Sequence, residues 1–204
     1  MAAIGEPARL LPDAREGVLE GGTERYEKQL RELAGLYRSD EAFQRALNDD
    51  DGAPVYWVES SIVDRGAGAL TIGVSTLEPG RVGREYAMTR GHLHARAECA
   101  EMYYGLAGRG VLLMESLDGE SRALEITPGV AVHVPGHWVH RSVNVGEERL
   151  VTLFCYASDA GQDYGLIEDA GGMATLVVAT EDGGWATQAN ADHRGYRQTV
   201  EAAS

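Results

Sequence analysis

From Pro54 onwards the sequence becomes a series of short apolar runs separated by glycine and proline, and this pattern constrains the fold more than any other feature. Short strands joined by glycine- or proline-containing turns are typical of an antiparallel barrel or sandwich. The chain is therefore predicted to be all-β, with strands at residues 55–58, 69–75, 109–114, 129–134, 140–145 and 150–156.

Two segments have the composition of hairpin turns. Asp118-Gly119 can adopt the positive φ angles that a tight turn needs. A second hairpin is predicted from strands at 174–179 and 185–188 around a turn at 181–184. The glycine-rich stretch 105–110 lacks the spacing and the following helix of a nucleotide-binding loop, so it is interpreted as a connection between strands.

The N-terminal quarter is predicted to be irregular and then helical. Residues 1–22 are rich in glycine and proline. Apolar residues with helical spacing then predict an amphipathic helix from Glu24 to Tyr37: Tyr26, Leu30, Leu33, Ala34 and Tyr37. A second, shorter helix is predicted to be capped by Asp40 and to end at the acidic run 48–52. That run is interpreted as a solvated turn, because the glutamate of a calcium loop does not follow it.

These patterns divide the chain into three predicted segments. Residues 1–52 form an extension that packs on the barrel, 53–180 form the barrel, and 181–204 form a C-terminal hairpin with a polar tail. Leu36 and Tyr37 look exposed, so the extension is expected to cover either the open edge of the barrel or a dimer interface.

Four residues have the types and spacing of a metal site: His92, His94, Glu101 and His140. Residues two apart on an extended strand share a face, so His92 and His94 are expected to project together, as are Glu101 and Tyr103 on the next strand. Imidazole nitrogens and a carboxylate oxygen suit divalent iron, nickel, manganese or zinc.

A single histidine on a strand is more often a structural residue than a ligand, but four compatible residues in two turn-bounded motifs favour a metal site. The other histidines, His133, His137 and His193, have no such support. His133 is expected at a pocket wall or at the surface, and His193 in the polar tail.

The same residues carry a family resemblance. Gly91-His92-x-His94, Glu101 with Gly108, and Gly129-x5-Pro135 followed by His140-x3-Asn144 resemble the two cupin motifs, which lie on adjacent strands of a small β-barrel. A narrower resemblance, to the cupin-type glucose-6-phosphate isomerases of archaea and some bacteria, covers about residues 15 to 180. It is carried by the stretches 79–86, 89–94, 101–103, 138–144 and 156–165.

This resemblance implies a jelly-roll barrel, which the short N-terminal helices predicted above would accompany. It also implies a metal-dependent isomerase that interconverts glucose 6-phosphate and fructose 6-phosphate, usually as a homodimer. Carried over by position, the metal ligands are His92, His94, Glu101 and His140. The chemistry of moving a proton between C1 and C2 makes Glu101 the candidate base and Tyr103 the candidate donor or proton relay. The implied substrate contacts are Ser75, Thr89, Gly91, Tyr103, Tyr156 and Tyr164. The expected cofactor is one divalent ion per subunit, Fe²⁺ first, with Ni²⁺, Mn²⁺ or Zn²⁺ as alternatives.

Two positions depart from the family pattern. Ser75 stands where threonine is expected and keeps the hydroxyl, so little should change. Gln162 stands where the family has histidine, and an amide cannot become cationic. Phosphate affinity is therefore expected to be weaker. Without the resemblance, Tyr156 and Tyr164 would be interpreted as core or interface aromatics.

Composition excludes several partners. A net charge of −14 disfavours nucleic acid, and it does not steer an anionic sugar phosphate towards the protein. Local charge must therefore bind the phosphate, supplied by the metal, backbone N–H groups, Arg90 or Arg141. No signal peptide or apolar run of membrane-spanning length is visible, and two cysteines make a disulfide framework unexpected, so a cytoplasmic protein is predicted.

The sequence leaves several choices open. Another metal-cupin enzyme, such as an iron oxygenase or a sugar-modifying enzyme, would use the same ligands, and a non-catalytic sugar-phosphate-binding cupin is a third hypothesis. Glu101 is also assigned two competing roles. A carboxylate bound to a dication is a weaker base, so proton transfer and a hydride shift between C1 and C2 both remain open.

Overall fold

The computed structural model describes residues 6–63, 66 and 68–197. In chain order its strands are β1 (Leu11–Asp13), β2 (Val18–Glu20), β3 (Glu24–Gln29), β4 (Pro54–Ile62), β5 (Leu70–Leu77), β6 (Arg81–Val82), β7 (Glu85–Tyr86), β8 (Glu101–Ala107), β9 (Gly110–Ser116), β10 (Ser121–Ile126), β11 (Ala131–Val134), β12 (Trp138–Asn144), β13 (Leu150–Ala157), β14 (Thr175–Ala179) and β15 (Trp185–Ala189). The helices are α1 (Asp40–Asn48), α2 (Gly165–Asp169) and a 3-10 helix at Leu30–Leu33.

The strands form antiparallel sheets, which confirms the predicted all-β class. The largest sheet has the order β11-β8-β13-β5-β4-β3, and a three-stranded sheet has the order β10-β9-β12. Side chains of both sheets meet in one buried core that includes Val111 and Leu112 of β9 and Phe154 of β13. A third sheet, β15-β14-β7-β6, contains the C-terminal hairpin.

The predicted hairpin turns are present, with one difference in backbone geometry. Gly119 has φ 93° in the turn between β9 and β10, but Asp118 has no positive φ. β10, which follows this turn, is not among the predicted strands, because half of its residues are exposed and its sequence gives no clear apolar pattern. In the glycine-rich stretch, β8 continues to Ala107, and the connection is only Gly108-Arg109.

The predicted helix at 24–37 is wrong. Residues Glu24–Gln29 form β3, which pairs with β4 as the edge strand of the large sheet, and only Leu30–Leu33 turn into a 3-10 helix. The apolar residues that imitated helical spacing therefore lie in different elements. Leu36 and Tyr37 are also buried rather than exposed. Pairing with β4 supplies the backbone hydrogen bonds that an isolated helix would otherwise make, so tertiary structure overrides local propensity.

The prediction that residues 1–22 are irregular is also partly wrong. β1 and β2 form a small hairpin within them, while residues 1–5 lie outside the described part of the chain. The turn at Gly17 has φ 68°, and its carbonyl accepts hydrogen bonds from Trp57 Nε1 at 2.8 Å and Thr76 Oγ1 at 2.9 Å. The hairpin is thereby fixed to the large sheet.

The second helix is confirmed as α1, although its cap is Ser39 and not Asp40. Ser39 Oγ accepts a hydrogen bond from the Ala42 N–H at 3.2 Å, which satisfies one of the free donors of the first turn. Phe43 of α1 packs into the core between the six-stranded and three-stranded sheets, and so do Leu30 and Leu33. The three-segment division remains a prediction. No helix in the described ranges is long and apolar enough to cross a membrane.

Candidate metal centre

Two strands and one loop bring the four predicted ligands together. Glu101 begins β8, and His140 lies on β12 in the smaller sheet. The predicted strand through His92 and His94 is wrong, since the only pairings there are two isolated bridges: His92 with His140, and Leu93 with Asp163. The His92 N–H donates to the His140 carbonyl at 3.0 Å, and the reverse bond is 2.9 Å, so the loop is held directly against the third histidine.

The ligand atoms converge on one Glu101 oxygen. Oε2 lies 2.9 Å from His140 Nε2, 3.2 Å from His94 Nε2 and 3.8 Å from His92 Nε2. One donor atom from each of the four residues lies within 4.8 Å of all the others. Glu101, His94 and His140 are buried, and His92 is partly exposed. The spacing is small enough for the four side chains to share one ion.

Backbone carbonyls fix the tautomers of two histidines. His94 Nδ1 lies 2.9 Å from the Cys99 carbonyl, and His140 Nδ1 lies 3.0 Å from the Trp138 carbonyl. A carbonyl only accepts, so each Nδ1 donates to it, and Nε2 is the nitrogen that faces Glu101, where a metal ion can replace its proton. Metal-bound histidines are oriented in this way by the groups behind them.

Burial and mutual contact determine the charges of the cluster. Burial opposes ionisation of Glu101, but hydrogen bonds from His140 and His94 overcome this and hold its pKa well below the usual range. Burial and the neighbouring His140 hold the pKa of His92 well below its usual value, so its imidazole is neutral. The cluster therefore presents an ionised carboxylate and a neutral imidazole, which are the states that bind metals.

The residues fit a divalent metal ion. Nε2 of His92 is buried and has no hydrogen-bond partner among the described residues. A buried polar atom without a partner is costly, and a cation bound between the four side chains would satisfy this nitrogen. Three imidazoles and one carboxylate suit Fe²⁺, Mn²⁺, Ni²⁺ and Zn²⁺.

A cavity of about 330 Å³ opens beside the ligands. It is lined by every residue that the sequence proposed as a substrate contact: Ser75, Thr89, Gly91, Tyr103, Tyr156 and Tyr164. His92, Glu101 and His140 also line it, whereas His94 is buried and is not part of the lining. β8 pairs with β13 so that Tyr156 lies opposite Glu101. The structure thus places the predicted metal and substrate residues around one space.

The cavity wall contains residues that sequence analysis missed. Tyr26 of β3 and Tyr56 of β4 line it, and their rings meet edge to face at 6.3 Å between centroids. Tyr26 also forms a hydrogen bond with Tyr164. Along β4, alternate residues face the cavity from Tyr56 through Val58 and Ser60 to Ile62. That period of two was the available signal, but no motif marked it.

Two arginines considered for phosphate binding have different surroundings. Both arginines line the cavity, and the Arg90 guanidinium lies 4.9 Å from the centroid of the Tyr164 ring and 3.4 Å from Glu168. The Arg141 side chain is buried and donates to the Arg90 carbonyl at 2.9 Å. Arg90 is therefore the better placed of the two cations.

The remaining histidines lie away from the ligand cluster. His133 is exposed, and His137 is exposed in a turn with φ 67°. His193 Nδ1 lies 2.8 Å from the Gly172 carbonyl. Both cysteines, Cys99 and Cys155, are free thiols.

Comparison with known proteins gives a consistent result. A family model described as Glucose-6-phosphate isomerase (GPI) matches residues 27–194, a range that contains the ligand cluster and every predicted substrate contact. The chain is 47% identical over 180 residues to "Putative glucose-6-phosphate isomerase 2" of Rhizobium meliloti (strain 1021), covering 88% of this chain and 90% of that protein.

Other relatives have similar coverage. The identity to "Glucose-6-phosphate isomerase" of Sinorhizobium medicae (strain WSM419) is 41% over 194 residues, covering 95% of this chain and 91% of that one. The identity to the protein of the same name from Thermococcus kodakarensis is 37% over 177 residues, covering 87% of this chain and 91% of that protein. A solved structure of Bacillus subtilis oxalate decarboxylase aligns with 52% of this chain, and the alignment covers 27% of the decarboxylase chain. The TM-score is 0.44 and the sequence identity is 24%.

Proposed function

Because the chain belongs to the glucose-6-phosphate isomerase family, we propose that this enzyme interconverts glucose 6-phosphate and fructose 6-phosphate at a centre that holds one divalent metal ion. The observation that carries the proposal is the convergence of His92, His94, Glu101 and His140 at the wall of a cavity, within the matched part of the chain. We propose that the reaction serves glycolysis and gluconeogenesis.

The metal would be held by the three imidazoles and the Glu101 carboxylate. When bound there, a divalent ion supplies Lewis acidity that stabilises negative charge on the sugar's carbonyl oxygen. Fe²⁺ is the first choice among the candidates, and Ni²⁺, Mn²⁺ and Zn²⁺ have the same ligand preferences. The donor set supports a dication without distinguishing between these metals.

Substrate phosphate would bind at the hydroxyl groups of Ser75, Thr89, Tyr156 and Tyr164 and at the backbone of Gly91. Arg90 adds a cation at the same wall. This placement supplies the local positive charge that a chain of net charge −14 otherwise lacks for an anionic ligand. The hydroxyls then orient the sugar so that C1 and C2 face the ligand cluster.

Catalysis is assigned to Glu101 and Tyr103. Both project from one face of β8, and Tyr103 lines the cavity. Burial and the adjacent Glu101 carboxylate raise the pKa of Tyr103 well above its usual value, so Tyr103 stays protonated and can donate to a developing oxyanion. Glu101 is ionised and is the candidate to accept the C2 proton. If it does not accept that proton, a hydride shift is the alternative path.

A coupled assay with purified protein tests this reaction. We expect glucose 6-phosphate to form from fructose 6-phosphate at the same rate in air and under argon, and fructose without phosphate to react poorly. The same assay with mannose 6-phosphate measures how strictly the enzyme selects the configuration at C2. Turnover that requires O₂ would point instead to an oxygenase using the same ligands, and saturable binding without turnover would point to a sensor.

Replacing Gln162 with histidine should strengthen substrate binding. Gln162 lies at the cavity and donates to the Tyr156 hydroxyl at 3.0 Å, so an imidazole at this position would be close to the phosphate contacts. A charge-assisted hydrogen bond contributes about 1.5–3 kcal/mol, which is roughly a tenfold or larger fall in KM. Since histidine has an ordinary pKa of about 6.5, the fall should be greater at pH 6 than at pH 8.

Steady-state KM for fructose 6-phosphate at both pH values measures this effect. Gln188→His is the matched control, because Gln188 is exposed on β15 and outside the cavity. An unchanged KM at pH 6 in Gln162→His would show that position 162 does not contact the phosphate.

We also propose a homodimer in the cytoplasm. Two free thiols are consistent with a reducing compartment, and β3 leaves an edge of the large sheet that a second copy can cover. Sedimentation of the purified protein would measure the oligomeric state.

A further inference from the structure

Arg141 is a buried cation whose role the proposed function leaves unexplained. Its relative exposure is 4%, and it follows the ligand His140 on β12. Because successive strand residues point to opposite faces, the Arg141 side chain lies on the face opposite the His140 imidazole. No carboxylate lies within 4.0 Å of its guanidinium in the described ranges. Burying a charge without a paired carboxylate costs free energy, so the contacts that hold Arg141 in place need an explanation.

Both hydrogen bonds of this guanidinium go to the segment that leads into the metal-binding loop. Nη2 donates to the Arg90 carbonyl at 2.9 Å, and Nη1 lies 2.7 Å from Met88 Sδ.

The bond to the Arg90 carbonyl determines the orientation of the next peptide unit. A trans peptide has its C=O and N–H pointing in opposite directions, and no cis peptide occurs in the described residues. The Gly91 N–H therefore points away from the Arg141 guanidinium, towards the cavity that Gly91 lines. It has no acceptor among the described residues, whereas the Arg90 N–H is used by the Tyr56 hydroxyl.

Gly91 requires this geometry and cannot readily be replaced. Its φ is 76°, and an added Cβ would lie 2.9 Å from Ile167 Cδ1 and 3.0 Å from both Arg141 Cβ and the His140 carbonyl oxygen. A side chain here would be strained and crowded on the side away from the cavity. The residue thus presents only its backbone to the cavity.

We propose that Arg141 is a positioning residue that holds the Arg90-Gly91 peptide with its N–H directed into the cavity, where it binds a phosphate oxygen of the substrate. The proposal rests on the proposed sugar-phosphate substrate. Although Arg141 lines the cavity, its guanidinium faces Met88 and the Arg90 carbonyl and makes no contact with that substrate. The cation acts through one peptide unit, and a free N–H beside Arg90 forms part of an anion site.

Phosphate binding to the Zn²⁺-loaded protein tests this role without relying on turnover. In the wild type, titration with inorganic phosphate should shift the Gly91 amide resonance downfield in ¹H–¹⁵N spectra. Arg141→Met should weaken phosphate binding at least tenfold and abolish that shift, with zinc stoichiometry unchanged. Arg141→Lys keeps the charge and should recover part of the affinity. Arg84→Met is the matched control, since Arg84 also donates to a backbone carbonyl, that of Ala179, but does not line the cavity.

Kinetics give a second readout. In Arg141→Met, KM for fructose 6-phosphate should rise at least tenfold while kcat changes less than threefold, a split that a general loss of folding would not produce. If Arg141→Met does not fold, the comparison rests on Arg141→Lys and on the wild-type Gly91 shift. A folded variant that binds phosphate like the wild type, or a wild-type Gly91 resonance that does not move while phosphate binds, overturns the proposal. Absence of isomerase turnover in a wild type that passes the phosphate test refutes the proposed function alone.

Discussion

Glu101→Gln should lower kcat by about 10²- to 10⁴-fold, the range attributed to general base catalysis. The substitution keeps the shape and an oxygen that can still face the metal, but it removes the negative charge and the basic site. In the structure that carboxylate is ionised, buried and in contact with all three histidines. Steady-state kinetics together with metal analysis of the same sample measure the effect.

Exchange of the C2 hydrogen with deuterated solvent then separates the two paths. If Glu101 is the base, exchange in Glu101→Gln should fall in parallel with kcat while metal is retained. Glu98→Gln is a suitable control, because Glu98 is an exposed carboxylate that pairs with Arg96 and does not line the cavity. Turnover within about threefold of the wild type, with metal in place, would rule out Glu101 as an essential base and favour a hydride shift.

His140→Ala should produce a protein that no longer responds to metal. His140 Nε2 lies 2.9 Å from Glu101, so its imidazole contacts the centre of the cluster. The backbone bonds of His140 to His92 do not depend on its side chain and should remain in the variant. A metal present at 100 times its Kd stabilises the folded protein by about 2.7 kcal/mol. For a chain of this size that is a rise in Tm of roughly 5–10 °C.

Thermal unfolding with and without added metal measures this difference. The wild type and His133→Ala, which removes an exposed histidine, should both show the rise. The His140→Ala protein should show little or none, and its metal content should fall. Full metal stoichiometry and unchanged affinity in His140→Ala would remove His140 from the set of ligands.

Much of the site could be anticipated because its chemistry is encoded in short motifs. His92, His94 and His140 each lie beside glycine or proline signals that mark turns, and Glu101 and Tyr103 begin a strand with the expected alternation. These short motifs predict which side chains meet even where the secondary structure differs from the prediction. Neither histidine near Gly91 lies on a strand: His92 forms an isolated bridge and His94 follows the bridged Leu93, yet their spacing still directs both towards Glu101.

The parts that could not be anticipated depend on tertiary pairing. Tyr26 reaches the cavity only because β3 pairs with β4, and the apolar spacing after Glu24 is equally compatible with a helix. The role inferred for Arg141 depends on which carbonyl its guanidinium meets across the fold. Strand alternation alone places the side chain on the far face, but it does not identify Arg90 as the partner.

The most direct test of the metal-dependent reaction is a titration of chelated protein with divalent metal, followed by the coupled assay with fructose 6-phosphate. We predict that the chelated protein is inactive and that activity rises with added metal until about one ion is bound per chain, with Fe²⁺ giving the highest rate among Fe²⁺, Ni²⁺, Mn²⁺ and Zn²⁺. Full isomerase activity in protein shown by elemental analysis to contain no metal would contradict the account.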